Sequence, residues 1–235
     1  MSLHIDTNKN ITLANGDIFQ CSKIDRCGIE LEGLFFDSDM LDSSLGRYED
    51  DGSVSGFSQR GQCGEFVSKA IQPCEVENFI TKCHPSGSLG RSNRSCGAHT
   101  HISLLSNGDY STLMTQEFYD HFLTKWNQFG VRNEINEDSH FYERIRGKQH
   151  CYAGFKPQQH KMVYHYDSDR YQHINFCYNV QKHGESARKT VEFRIPPCFQ
   201  SKTLQVKATL EILKIVQEYL EDHPIPKPIT LRLKI

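Results

Sequence analysis

The sequence predicts an α+β fold: an antiparallel or mixed sheet with helices packed on one face. Three observations predict it. Short segments that alternate polar with apolar residues, the period of a strand, outnumber helical ones. No regular crossover helices separate them, which argues against a doubly wound parallel sheet. Two longer segments repeat apolar residues every three or four positions and carry capping residues at their ends. With 235 residues the chain can bury a substantial core. Residues 1–235 read as one domain, with core motifs at about 26–200 and a C-terminal helix at about 201–223.

The elements follow in order. CGIELEGLFF (27–36) reads as a strand. A stretch rich in Gly, Ser and Asp occupies 37–62; loops of that length are usually functional, so it is a candidate lid. CGEFVS (63–68) is a second strand and EVENFITKC (75–83) a short helix. HPSGSLGRSNRSCG (84–97) is a glycine–serine loop carrying Arg91 and Arg94, the second candidate lid. AHTHISLL (98–105) is a third strand. TQEFYDHFLTKWNQFG (115–130) is helical, with Phe118, Phe122, Trp126 and Phe129 on one stripe and Gly130 where a C-cap glycine belongs. That stripe is expected to be core. KMVYHY (161–166), HINFCYNV (173–180) and KTVEFRIP (189–196) read as strands in neighbouring antiparallel pairs. An amphipathic helix then runs from Ser201 and stops before Pro224.

Composition excludes several classes. A net charge of -2 leaves no footprint for nucleic acid or an anionic membrane surface. The start, MSLHIDTNKN, is too polar for a secretory signal, and no apolar run approaches the ~20 residues that cross a bilayer. The 9 cysteines include no CxxC pair. A cytoplasmic, reduced protein is expected, with cysteines that serve mostly as small core residues.

Polar residues two apart on a strand share a face. Glu30 and Glu32 do so in GIELEG, His99 and His101 in AHTHIS, and Glu192 and Arg194 in TVEFRI, each pair backed by apolar residues. Glu65 in CGEFVS joins them if its strand lies in the same sheet. Singly, each pair has an ordinary explanation: a solvated sheet face, a surface histidine pair, a cross-strand ion pair worth little. Together they gather carboxylates, imidazoles and an arginine on one surface. Such carboxylates repel one another strongly, and divalent cations are the usual remedy. Oxygen-rich sets with one imidazole suit magnesium or manganese better than zinc.

CGIELEG, DGSV, GEFVS, SCGAHTHIS, RYQHINF and TVEFRI occur in an order that resembles the amidoligase family, relatives of glutamine synthetase and glutamate–cysteine ligase. GAHTHISLLSNG is also similar to the histidine-bearing strand and turn of glutamine synthetase. The resemblance implies a glutamine-synthetase-like catalytic domain. Its curved antiparallel sheet would hold ATP, divalent metal and a carboxylate substrate on the concave face. It implies an ATP-dependent carboxylate–amine ligase working with Mg2+ or Mn2+, two ions, on small-molecule amine and carboxylate substrates such as amino acids or peptide ends.

By that resemblance Glu30, His99 and Glu192 would bind one ion and Glu32 and Glu65 a second, with Glu75 or Glu77 as further candidates. Arg194, Arg170 and Asp51 would be catalytic, Arg194 on the transferred phosphoryl group or the substrate acid. Asp51 and Ser53 match a substrate- or amine-side motif. Arg170 and either Arg144 or Arg146 would contact phosphates, Asn175 would lie near the site, and His101 would support His99. The resemblance is compatible with an oligomer. Two alternatives stand beside it. One is a metal-dependent hydrolase holding zinc through His99 and His101; the other is a non-catalytic nucleotide- or peptide-binding domain.

Overall fold

The computed structural model describes residues 10–12, 18–35, 41–51, 53–54, 62–147, 152–160, 172–177, 181–182, 185–186 and 189–225. The first strands are β1 (Asn10–Thr12), β2 (Ile18–Gln20), β3 (Ile24–Phe35), β4 (Gly46–Asp50) and β5 (Gln62–Ser68). Helix α1 (Val76–Cys83), the short strand β6 (Gly90–Arg91) and β7 (Ala98–Leu104) come next. Helices α2 (Asn107–Leu113), α3 (Gln116–Arg132) and α4 (His140–Ile145) form the middle of the chain. Then come β8 (Tyr152–His160), β9 (Gln172–Cys177), β10 (Gln181–Lys182), β11 (Glu185–Ser186), β12 (Thr190–Phe193) and α5 (Lys202–Asp222).

The main sheet runs β4-β5-β3-β7-β12-β9-β8, with β6 also paired to β3. Its pairings are antiparallel except β8 with β9. The expected mixed α+β architecture is what the chain adopts. One sheet face is apolar because every second residue is: Ile29, Leu31, Ile102, Val191, Phe193, Ile174 and Phe176 are all buried. Helix α5 packs on β7, α1 and α3, and α1 also touches β3. The stripe on α3 is core: the Phe122 ring lies 6.0 Å from Trp126 and 5.0 Å from Phe193 of β12. Both long helices are capped as residue chemistry dictates. The Thr115 hydroxyl accepts from the Phe118 amide and the Ser201 hydroxyl from the Leu204 amide.

The structure departs from the sequence expectations at several places. The polar stretch 37–62 contains β4, which pairs with β5. Its RYED segment has too few apolar residues to register as a strand, and it lies at the sheet edge. Strand β8 forms in YAGFKPQQH, which lacks a strand's alternation, and α2 and α4 have 7 and 6 residues, too short to show a period. Gly130 does not cap α3; the helix continues to Arg132. The predicted strand at 161–166 lies outside the described residues. Cys21, Cys27, Cys83, Cys96 and Cys198 are buried, as expected of core cysteines. Among the described residues no helix is long and apolar enough to cross a membrane.

Candidate metal centre

Sheet register assembles the polar face. The β3–β7 ladder sets Glu30 opposite His99, and the β7–β12 ladder sets His101 opposite Glu192. The β3–β5 ladder sets Glu32 opposite Glu65, and the β12–β9 ladder sets Glu192 opposite Asn175. Directly opposed side chains in such ladders lie within reach of one another. The apolar alternation behind these residues leaves a one-residue slip no room, since it would bury the charges and expose the core.

His99 sits at the centre, 2 % exposed. Its Nδ1 is 3.0 Å from Glu30 Oε2 and 3.8 Å from Glu192 Oε1, while Nε2 is 3.3 Å from Glu32 Oε1. His101 Nε2 lies 3.0 Å from Glu30 Oε1 and 3.8 Å from Glu192 Oε1. Glu192 accepts from Arg194 Nη1 at 2.7 Å and from Asn175 Nδ2 at 3.0 Å. The Gly97 amide donates to Glu32 Oε2.

Three overlapping sets have ligand atoms all within 4.8 Å of one another: Glu30, His101 and Glu192; Glu30, Glu65 and His99; Glu32, Asp51 and Glu65. Carboxylate oxygens dominate each set, and none contains more than one imidazole, the donor chemistry of magnesium or manganese. The residues therefore fit the cations that the resemblance implies. Zinc held through His99 and His101 together is not favoured, because among the described residues the two histidines fall in different sets.

The charges bear on one another strongly. Burial would raise the Glu30 pKa, but His101 and His99 override it and hold the carboxylate well below its usual range. Glu192 is likewise lowered against the effect of burial, by Arg194 first and then His101 and His99. For His101, burial opposes protonation, yet Glu30 and Glu192 lift its pKa to about 9. Burial also disfavours charge on Arg194, and Glu192, Glu32 and Glu30 more than compensate, so its guanidinium stays cationic. At Glu65, burial, then Glu30, Asp51, Glu32 and Glu49, push the pKa up to about 8.

Glu30, Glu32, Glu65, His99, Glu192, Arg194 and Asn175 are brought together, and Asp51 joins them through Glu32 and Glu65. Asp51, not Glu75 or Glu77, is the carboxylate grouped with Glu32 and Glu65. Glu75 instead accepts from the Gln72 amide at 2.6 Å, and both glutamates are exposed. The Asp51 carboxylate also accepts from Ser53 N and Oγ, both at 2.8 Å, so the DGSV turn orients it. His101, expected to support His99, stands 3.0 Å from Glu30 Oε1 and falls in a set with Glu30 and Glu192.

Arg146 is exposed and donates to the Glu137 carbonyl, away from the cluster. Arg144 is 3 % exposed, and its guanidinium donates to main-chain carbonyls, so it buttresses the face instead of offering a free fork to phosphate. Arg170 lies outside the described residues. Gly97 contributes through its backbone amide, which leaves no mark in the side-chain chemistry of the sequence.

No protein-family model and no curated relative matches the chain. Among solved structures it is similar to a cryo-EM structure of Plasmodium falciparum glutamine synthetase, at a TM-score of 0.41 and 12% sequence identity. The likeness covers 91% of this chain and 58% of that one, so the chain spans little more than half the length of that protein.

Proposed function

We propose that this chain is an ATP-dependent carboxylate–amine ligase that forms an amide through an acyl phosphate. The observation that carries the reading is the set of overlapping oxygen-rich ligand groups on one sheet face, with Arg194 bonded to Glu192 at their edge. The motif order that resembles the amidoligase family supports it. Glu30, His99 and Glu192 would hold one divalent cation, with His101 Nε2 3.0 Å from Glu30 beside them, and Glu32, Asp51 and Glu65 a second. Bound there, the cations would neutralise phosphate oxygens and orient the nucleotide.

The residues follow from what the reaction demands. A carboxylate resists attack by an amine because oxide is a poor leaving group. Moving the γ-phosphoryl group of ATP onto a carboxylate oxygen gives ADP and an acyl phosphate. Arg194 answers the negative charge that gathers on the transferring group, and Glu192 and Asn175 fix its direction. The amine nitrogen then attacks the acyl carbon, the C–O bond to phosphate breaks, and the amine gives up a proton. The acid-lined end at Glu65 and Asp51 would attract the amine as its ammonium ion.

A thermal-shift titration with a non-hydrolysable ATP analogue, with and without Mg2+, tests this on wild type and Glu30→Gln. A ligand that binds only the folded state raises the midpoint. We expect magnesium-dependent stabilisation in wild type and its loss in the variant, which stays folded. Absence of any shift with wild type at saturating nucleotide would refute the reading.

A further inference from the structure

We infer that Arg144, from helix α4, is a positioning residue that holds the backbone on both sides of the cation face; the inference rests on the cation-site reading above. Arg144 Nη1 donates to the Arg194 carbonyl at 3.0 Å, and Nη2 lies 3.5 Å from the Ser95 carbonyl. One end of the guanidinium therefore grips the strand exit that carries Glu192 and Arg194. The other grips the turn that enters β7 and leads to His99.

Gly97 sits between these two grips and makes them possible. A Cβ on Gly97 would lie 2.7 Å from His99 Nε2 and 3.1 Å from both Arg144 Nη1 and Nη2. The guanidinium thus occupies space beside the imidazole that any other residue at position 97 would claim. The same glycine is tied to Glu32 twice: its amide donates to the Glu32 carboxylate, and its carbonyl accepts from the Glu32 amide at 3.0 Å. Moving this turn would move Glu32 and His99 together. A guanidinium suits the task because its planar fork can bond two carbonyls from one rigid group.

Arg144 is itself anchored from the helix side. His173, fully buried, has Nε2 2.7 Å from the Arg144 carbonyl and Nδ1 3.0 Å from the Tyr119 hydroxyl. The first contact requires the proton on Nε2, so Nδ1 accepts from Tyr119. Tyr119 in turn accepts from the Gly154 amide at 2.6 Å. A buried chain of bonds runs from α3 through β9 to α4 and ends on the backbone of the site. Partners that orient ligands in this way typically govern metal affinity by about tenfold or more.

The test uses the full chain as Arg144→Met, which keeps bulk and removes the donors, with Arg144→Lys and Gly97→Ala beside it. Near-UV circular dichroism and a cooperative unfolding transition establish that each variant is folded. Two readouts follow: hydrogen exchange at the Gly97 amide, compared with Val191 in the middle of β12, and Mn2+ affinity by electron paramagnetic resonance of the free ion. We expect Arg144→Met to speed Gly97 exchange selectively and to weaken Mn2+ by about tenfold, with Arg144→Lys intermediate. Gly97→Ala should weaken Mn2+ likewise by driving the imidazole and guanidinium apart, and Arg144→Lys carries the test if Arg144→Met does not fold. Folded variants with unchanged Gly97 protection and Mn2+ affinity within about twofold of wild type would overturn the inference. If wild type binds no Mn2+, the cation reading falls separately, and Gly97 exchange alone upholds or overturns the role of Arg144.

Discussion

At Glu65, burial and the neighbouring carboxylates delay ionisation until about pH 8, against an ordinary 4.5. The folded pKa lies above the unfolded one, so the linked stability is complete below pH 4.5 and lost as pH rises through 8. Without divalent cation, wild type should lose on the order of 3 kcal/mol relative to Glu65→Gln between those limits. Urea unfolding in a chelator at both ends of the window measures it, and a constant difference would contradict the assignment. A divalent cation can take the place of the proton. Adding Mn2+ at pH 8 should therefore stabilise wild type more than Glu65→Gln, and its binding at pH 7 should release protons, which calorimetry in buffers of different ionisation enthalpy would detect.

At the level of elements, α3 shows where local rules hold and where packing overrides them. Its start obeys capping chemistry, and its aromatic stripe lies in the core as its period predicts. Its end does not follow the glycine. A Cβ at Gly130 would lie 2.5 Å from Phe141 Cε1, so that glycine is spent on close contact with α4. The helix closes further on, with Ile135 N bonding Gly130 O and Glu134 N bonding Val131 O, a Schellman arrangement. The left-handed position falls on exposed Glu134, at φ 51. A side chain there costs about 1 kcal/mol. Glu134→Gly should therefore stabilise the protein, raising the unfolding midpoint by roughly 2–4 °C, and a lower midpoint would show that the Glu134 side chain contributes more than its backbone strain costs.

For the molecule as a whole, the junction of α1, the segment after β12 and α5 is guarded by His84. It is fully buried, and burial lowers its pKa to about 4, which the Phe199 backbone opposes only in part. Since the folded value lies below the ordinary 6.5, stability is present above pH 6.5 and declines as pH falls towards 4. Wild type should lose about 3 kcal/mol across that window relative to His84→Leu. Denaturant midpoints at pH 7 and pH 4 compare the two directly, and parallel acid limbs would place the loss elsewhere. The two windows overlap between pH 4.5 and 6.5, where their opposing slopes offset each other, so on these two groups the metal-free protein should be most stable there.

Alternation alone determined which residues share the polar face, because a strand leaves its side chains only two directions. Glu30 with Glu32, His99 with His101 and Glu192 with Arg194 were therefore legible before any contact was known, as were the α5 start at Ser201 and the core stripe of α3. Strand neighbours were not legible, since pairing depends on the packing of the whole sheet. Only the folded structure could set His99 between Glu30, Glu32 and Glu192, or bring Asp51 from the DGSV turn to Glu65. Arg144 shows the difference most clearly. Its sequence neighbourhood fits a phosphate contact as well as any arginine's would. Burial against Gly97 and two carbonyls, fixed by elements distant in the chain, decides that its hydrogen bonds go to the backbone of the site.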